Sequence, residues 1–352
     1  YNSSQTGLRD MQLKLDDSTL TGRVALEGER ITYDLTVDDI NVDRYLPPAS
    51  EASDAPAEEG SLDEVDLPLE VMKTVDARGE LKFGKAKFSG LTLTNVAFPL
   101  TAANGAARLT PSAQLYGGRF SGDIRFLVEG DSADMTVEQT LDDVDLAALG
   151  QDLPGSQDDT GTGDVRLKLV AAGQNLGAMR RGLDGDVSFS VTKGSLEGID
   201  LWFELRRARA RLDGETLPER GDAARRTTFS SLSGTGVVED AVLTNRDLNG
   251  TLDFMTVDGS GTVNLLDDNI AFDLVAKMVD GPVLQSDPAM VKYAGKTLPL
   301  KVTGTIDAPS VLPDFSAIVR QQITQETQDK VDEQVDEAKE RVRDRLRGLL
   351  ER

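Results

Sequence analysis

Apolar and polar residues alternate along almost the whole chain, in roughly fifteen short segments. The two-residue period belongs to strands, and it gives each strand one greasy face. Residues 182–201 show the pattern in its clearest form. Val187, Phe189 and Val191 alternate with Asp186, Ser188 and Ser190. Gly194 and Gly198 then bracket a second short strand around Leu196, each suited to a tight turn. Asp200 stands where a helix cap belongs, ahead of Leu201, Leu205, Ala208 and Leu212 at helical spacing.

Only two or three helices are available to cover so many strands. A sheet must bury its apolar face against something. One solution is a sandwich or closed barrel whose inner faces meet. The other is a long sheet curled into a gutter, its apolar face lining a groove that lipid tails fill. Thirteen residues share the strand parity that would line it: Phe83, Leu93, Phe126, Val187, Phe189, Val191, Phe254, Val263, Leu265, Phe272, Leu274, Leu300 and Val302. Alternation alone favours the sandwich.

A hairpin unit recurs. Thr21-Gly22 opens a strand, Gly28 follows, and Ile31, Tyr33, Leu35 and Val37 alternate after it. Ser121-Gly122 does the same ahead of Ile124, Phe126 and Val128, with Gly130 before Met135 and Val137. Ser260-Gly261 starts a third copy, with a turn at Asp267-Asp268-Asn269. These units suggest four stretches: 1–46, the end of an upstream β repeat region; 47–64, an acidic disordered loop; 65–313, the main β region; and 314–352, a terminal helix. Residues 150–163 read as a weaker loop of the same kind, and Leu67-Pro68 starts a short helix. The chain opens at Tyr1 and reads as the C-terminal portion of a longer protein.

The chain has neither cysteine nor histidine. The first absence removes disulfides and thiolate metal sites; the second removes the usual general base and the commonest transition-metal ligand. Ser-His triads and zinc hydrolases are excluded. The net charge of −23 argues against nucleic acid as a partner. Gly295-Lys296-Thr297 imitates the tail of a phosphate loop, but position 290 is Met where Gly is required, and Pro299 stops the helix that should follow. The acidic triplets Asp142, Asp143, Asp145 and Asp38, Asp39, Asp43 match no calcium loop and read as solvated turns. No cofactor or metal is expected.

Two basic features stand out. Arg206, Arg207, Arg209 and Arg211 either contact lipid head groups or pair internally with the many acids. In the terminal helix, Val331, Val335, Ala338, Val342, Leu346 and Leu349 form a thin stripe. Arg341, Arg345, Leu346, Leu349 and Leu350 there would dock on an anionic membrane or a partner protein.

Several motifs, in order, resemble the AsmA family of bacterial envelope proteins. They are Tyr116-Gly117-Gly118 through Gly122, the run Gly194-Ser195-Leu196-Glu197-Gly198-Ile199-Asp200-Leu201, Asn245-Arg246-Asp247-Leu248, and Leu298 to Pro309 with Pro313-Asp314. Together the likeness spans nearly everything from residue 8 to 315. It implies the gutter rather than the sandwich, because such proteins are regarded as relatives of bridge-like lipid-transfer proteins. It further implies a periplasmic, non-catalytic role in outer-membrane assembly and lipid homeostasis. A phospholipid or other membrane lipid would be the cargo, an N-terminal helix outside this chain the inner-membrane anchor, and an outer-membrane protein a partner for the terminal helix. The alternative is a β-sandwich scaffold that holds protein partners.

Overall fold

The computed structural model describes residues 6–45, 65–152, 160–197, 200–219, 225–306 and 308–314. The terminal helix expected over 314–352 and its docking residues lie outside them beyond Asp314. Seventeen strands form one sheet. They are β1 (Thr6–Leu15), β2 (Ser18–Glu27), β3 (Arg30–Asn41), β4 (Ala77–Phe88), β5 (Leu91–Ala103), β6 (Ala106–Leu109), β7 (Ser112–Leu115), β8 (Gly118–Glu129), β9 (Ser132–Asp145), β10 (Thr160–Gly173), β11 (Asp184–Glu197), β12 (Arg226–Glu239), β13 (Val242–Leu252), β14 (Met255–Asn264), β15 (Asn269–Met278), β16 (Thr297–Thr305) and β17 (Pro309–Pro313). Each pairs with its sequence neighbour, except that the short β6 and β7 share one place between β5 and β8. A sandwich would need a second sheet, and the described residues contain one.

The three predicted hairpins are β2–β3, β8–β9 and β14–β15. Their turns carry the left-handed residues Gly28, Gly130 and Asp268. All ladders are antiparallel except β3–β4, which pairs Ile31 with Ala77 and Leu35 with Leu81 in parallel. A parallel pair needs a crossover rather than a hairpin. The crossover here contains the acidic stretch 47–64 and helix α1 (Leu69–Thr74). The sheet therefore continues across the boundary at residue 47.

Five further helices lie at strand ends: α2 (Leu146–Asp152), α3 (Leu176–Arg181), α4 (Leu201–Asp213), α5 (Pro282–Gln285) and α6 (Pro288–Val291). The expected loop at 150–163 is shorter than its composition suggested, because α2 takes one end of it and β10 the other. Asp200 caps α4 as predicted, its Oδ1 accepting the Phe203 N–H at 2.9 Å.

Gly194 departs from expectation. It interrupts no strand, and the left-handed residue is Lys193, at φ 53°. Gly194 instead lies under the Phe229 ring, where an added Cβ would meet Cζ at 2.1 Å. Its role is to let an aromatic ring lie down.

Three apolar clusters are buried. The largest joins β14–β16 to α4, α5 and α6 through Leu205, Met255, Met278, Leu284, Met290 and Leu298. A second centres on Ala86, Val96 and Ala113, with Phe83, Leu93 and Phe120 against it. The third joins Ala133 and Ala171 to Met179 of α3 and Leu69 of α1.

Candidate functional site

Cross-strand partners in a ladder point to the same face, so the registers allow one face to be followed from edge to edge. Leu13 pairs with Leu20, and Leu20 with Val37. Leu35 pairs with Leu81, and Leu81 with Phe98. Leu100 leads through Leu109 and Ile124 to Val137 and Leu169. Leu167 leads through Val187, Gly236, Asn245, Gly261, Phe272 and Val302 to Val311. One face, apolar except at Gly236, Asn245 and Gly261, is thus followed through sixteen strands, β6 standing for the place it shares with β7, roughly 70 Å along the sheet at strand spacing.

Eleven of the thirteen residues selected by parity lie on that face: Phe83, Leu93, Phe126, Val187, Phe189, Val191, Val263, Phe272, Leu274, Leu300 and Val302. The other two sit in turns. Phe254 precedes β14 and packs on Trp202, ring centroids 5.0 Å apart. Leu265 follows β14, its N–H donating to the Ala241 carbonyl at 2.9 Å. Leu35, Leu81, Ile124, Val137, Leu167 and Leu169 belong to the same face and were not selected. The parity that found Phe189 would have found them too.

Cover over this face is uneven. Leu298, Leu300, Met255 and Met278 are at most 2 % exposed beneath α4–α6. Val165, Leu167, Val187, Phe189 and Val191 are only half-buried. At the β1–β3 end, Leu8, Leu13, Leu15, Leu26 and Ile31 are exposed. The opposite face is polar and ion-paired. Arg108 grips Asp123 through two nitrogens at 3.0 and 2.7 Å. With Arg125 these bonds hold the Asp123 carboxyl down at about 2. That face is dished across β9–β13, a depression of about 660 Å³ bordered by Glu138, Arg166, Lys168, Asp186, Thr235 and Arg246.

Aromatic rings on the apolar face lie flat over glycines of the neighbouring strand. A Cβ on Gly79 would strike Tyr33 and on Gly261 Phe272; on Gly234 it would strike the Asn245 amide at 2.7 Å and crowd Phe189 at 3.1 Å. This repeats the arrangement of Phe229 over Gly194 and gives the Gly-opened strands a packing reason.

Arg206, Arg207 and Arg209 face acidic partners within the protein. Arg206 meets Asp287 at 2.8 Å, Arg207 meets Glu204 at 3.3 Å, and Arg209 meets Asp213 and Glu215 at 3.4 and 2.5 Å. Arg211 is exposed. Tyr116, from the Tyr-Gly-Gly motif, forms the left-handed β7–β8 turn with Gly117. Its hydroxyl donates to Asp152 at 2.6 Å and fastens α2 to the sheet. Among the described residues no group of three or more acidic side chains is arranged to hold a metal ion, and no helix is long and apolar enough to cross a membrane.

Compared with known proteins, residues 4–248 match the family model described as the AsmA family. The closing strand motif at Leu298–Pro309 lies beyond that span. No curated protein and no solved structure matches the chain.

Proposed function

The chain belongs to the AsmA family of bacterial envelope proteins, and from that premise we propose that it is a non-catalytic periplasmic carrier of phospholipid. Its tails would lie on the apolar face of the sheet, curled about that face as a gutter, and would pass along it between inner and outer membranes. The observation that carries this reading is the continuous apolar face with helices over only parts of it. A water-filled apolar face of this length is costly, and acyl chains relieve that cost without fixed polar contacts.

Native mass spectrometry of the purified chain tests the proposal. Phospholipid bound in the intact ion is the expected result; a lipid-free chain from a lipid-replete envelope overturns it. In the same reading an N-terminal helix outside this sequence anchors the protein in the inner membrane. The basic, leucine-bearing end near Arg341, Arg345, Leu346, Leu349 and Leu350 docks on an anionic surface or an outer-membrane partner. Liposome flotation with and without residues 329–352 tests the membrane form of docking: binding to anionic vesicles should fall on deletion, and unchanged binding removes that role.

A further inference from the structure

Strand pairing gathers the basic residues of β4–β8 on the polar face of the sheet. Residues 77–129 hold seven basic residues against three acidic, a net of +4 in a chain of net −23. The stretches beside them, 6–45 and 131–197, have five basic against nine acidic and five against thirteen. The registers set the positive charges in rows across the ladder. Arg78 leads through Thr101 to Arg108 and Arg125. Lys85 leads through Thr94 and Gln114 to Arg119. Lys82, between the rows, and Lys87, near the end of β4, share the face. All seven except Lys82 are exposed. The patch measures roughly 30 Å along β4 and roughly 14 Å from β4 to β8.

We propose that this patch docks the protein on a membrane surface that bears anionic lipid head groups. Internal pairing leaves positive charge to spare. Arg108 and Arg125 share the single carboxylate of Asp123, and Glu80 serves Lys82. Lys85 reaches Asp39 only at 3.9 Å. Asp152 acts on Lys85 and Lys87 from a distance, while it accepts the Tyr116 and Thr92 hydroxyls. Among the described residues Arg78 and Arg119 form no ion pair. The acid across the ladder from Arg119 is Asp142, which Arg166 holds at 2.9 Å. The floor between the charges decides the kind of partner. Thr94, Ala97, Ser112, Gln114 and Ser121 offer no aromatic or large apolar side chain to seat a protein hot spot. Long lysine and arginine stems over such a floor need only a plane of phosphates. The acidic stretches on either side are repelled by the same surface, so the charge pattern also fixes which face meets it. This docking does not depend on acyl tails lying on the opposite face.

Flotation of the full chain with lipid vesicles tests the proposal. Wild type should float at low salt with vesicles of equal parts phosphatidylcholine and phosphatidylglycerol, and not with phosphatidylcholine alone. Arg78→Gln, Lys85→Gln, Lys87→Gln and Arg119→Gln together should weaken that binding roughly ten-fold or more. A control removes the same charge at exposed positions elsewhere, through Lys14→Gln, Arg246→Gln, Lys277→Gln and Lys301→Gln, and should bind nearly as wild type. The basic end near Arg341 is intact in both variants, so it cannot produce a difference between them. If the fourfold patch variant melts early, Arg78→Gln with Arg119→Gln, which breaks no ion pair, carries the comparison. Equal losses in patch and control variants would trace binding to net charge and overturn the patch. Undiminished binding of the patch variant, equal flotation on neutral vesicles, or no flotation of the wild type is equally fatal. Patch-dependent capture by polyglutamate without vesicle binding would assign the face to an acidic protein and remove the membrane.

Discussion

Strands β10–β12 and β14–β16 present the same alternation on the same face of the same sheet, yet only one of them is a core. In β14–β16 Met255, Val257, Leu274, Met278, Leu298 and Leu300 are dry, because α4 brings Leu201 and Leu205 and the short helices α5 and α6 bring Leu284 and Met290, while Phe272 and Val302 farther along are half-buried. In β10–β12 the apolar residues are no less apolar, but helices reach only the strand ends. Strand patterning states which face is greasy. The supply of helices decides where that face becomes interior.

The sharpest way to break this contrast is truncation on each side of it. Leu205→Ala, at a fully buried position, should cost about 3 kcal/mol in thermal or denaturant unfolding. Leu167→Ala, on the less covered stretch, should cost about 1 kcal/mol, because little enclosed volume is lost. Equal losses would mean that the two stretches are equally core.

A charge sharpens the comparison further. Leu300→Asp buries an unpaired carboxylate and should abolish cooperative folding. Phe189→Asp should leave a folded protein whose bound phospholipid, read by native mass spectrometry, falls well below wild type. If Phe189→Asp unfolds the chain while the wild type carries no lipid, β10–β12 is core and the gutter reading is lost.

The smallest effect concerns pH and lies on the polar side. Asp123, between Arg108 and Arg125, is held to about 2, below the ordinary carboxylate value of 3.8. A depressed folded-state pKa contributes stability that is present above the unfolded value and lost as pH falls from about 4 to about 2. Asp123→Asn should therefore flatten the melting temperature across that window and lower it modestly near neutrality. An unchanged acid slope would show that this exposed cluster does not hold the sheet.

Much of this was legible in the sequence because strand parity is a local property. Val187, Phe189 and Val191 announce their face without help from distant residues, and Asp200 announces α4 in the same way. What stayed hidden depends on partners far along the chain. Arg206 finds Asp287, and Lys292 finds Asp213 at 3.1 Å, contacts that no spacing encodes. The cover over Leu274 and Leu300 comes from two four-residue helices started by Pro282 and Pro288, too short to show a period. Gly194 was misread for a similar reason: its demand comes from Phe229 across the ladder, not from its own turn. The parallel β3–β4 pairing was equally unreadable, since a crossover leaves no hairpin signature.

The rings laid over Gly79, Gly234 and Gly261 have one more consequence. An aromatic side chain standing upright would make a post, and a row of posts would divide the face into separate stalls. Lying down, each ring fills the hollow left by a glycine and levels the floor. A level floor holds an oily molecule nearly as well at one step as at the next, so the barrier between steps is small. If the sheet carries lipid as proposed, friction along it would be kept low by a residue with no side chain.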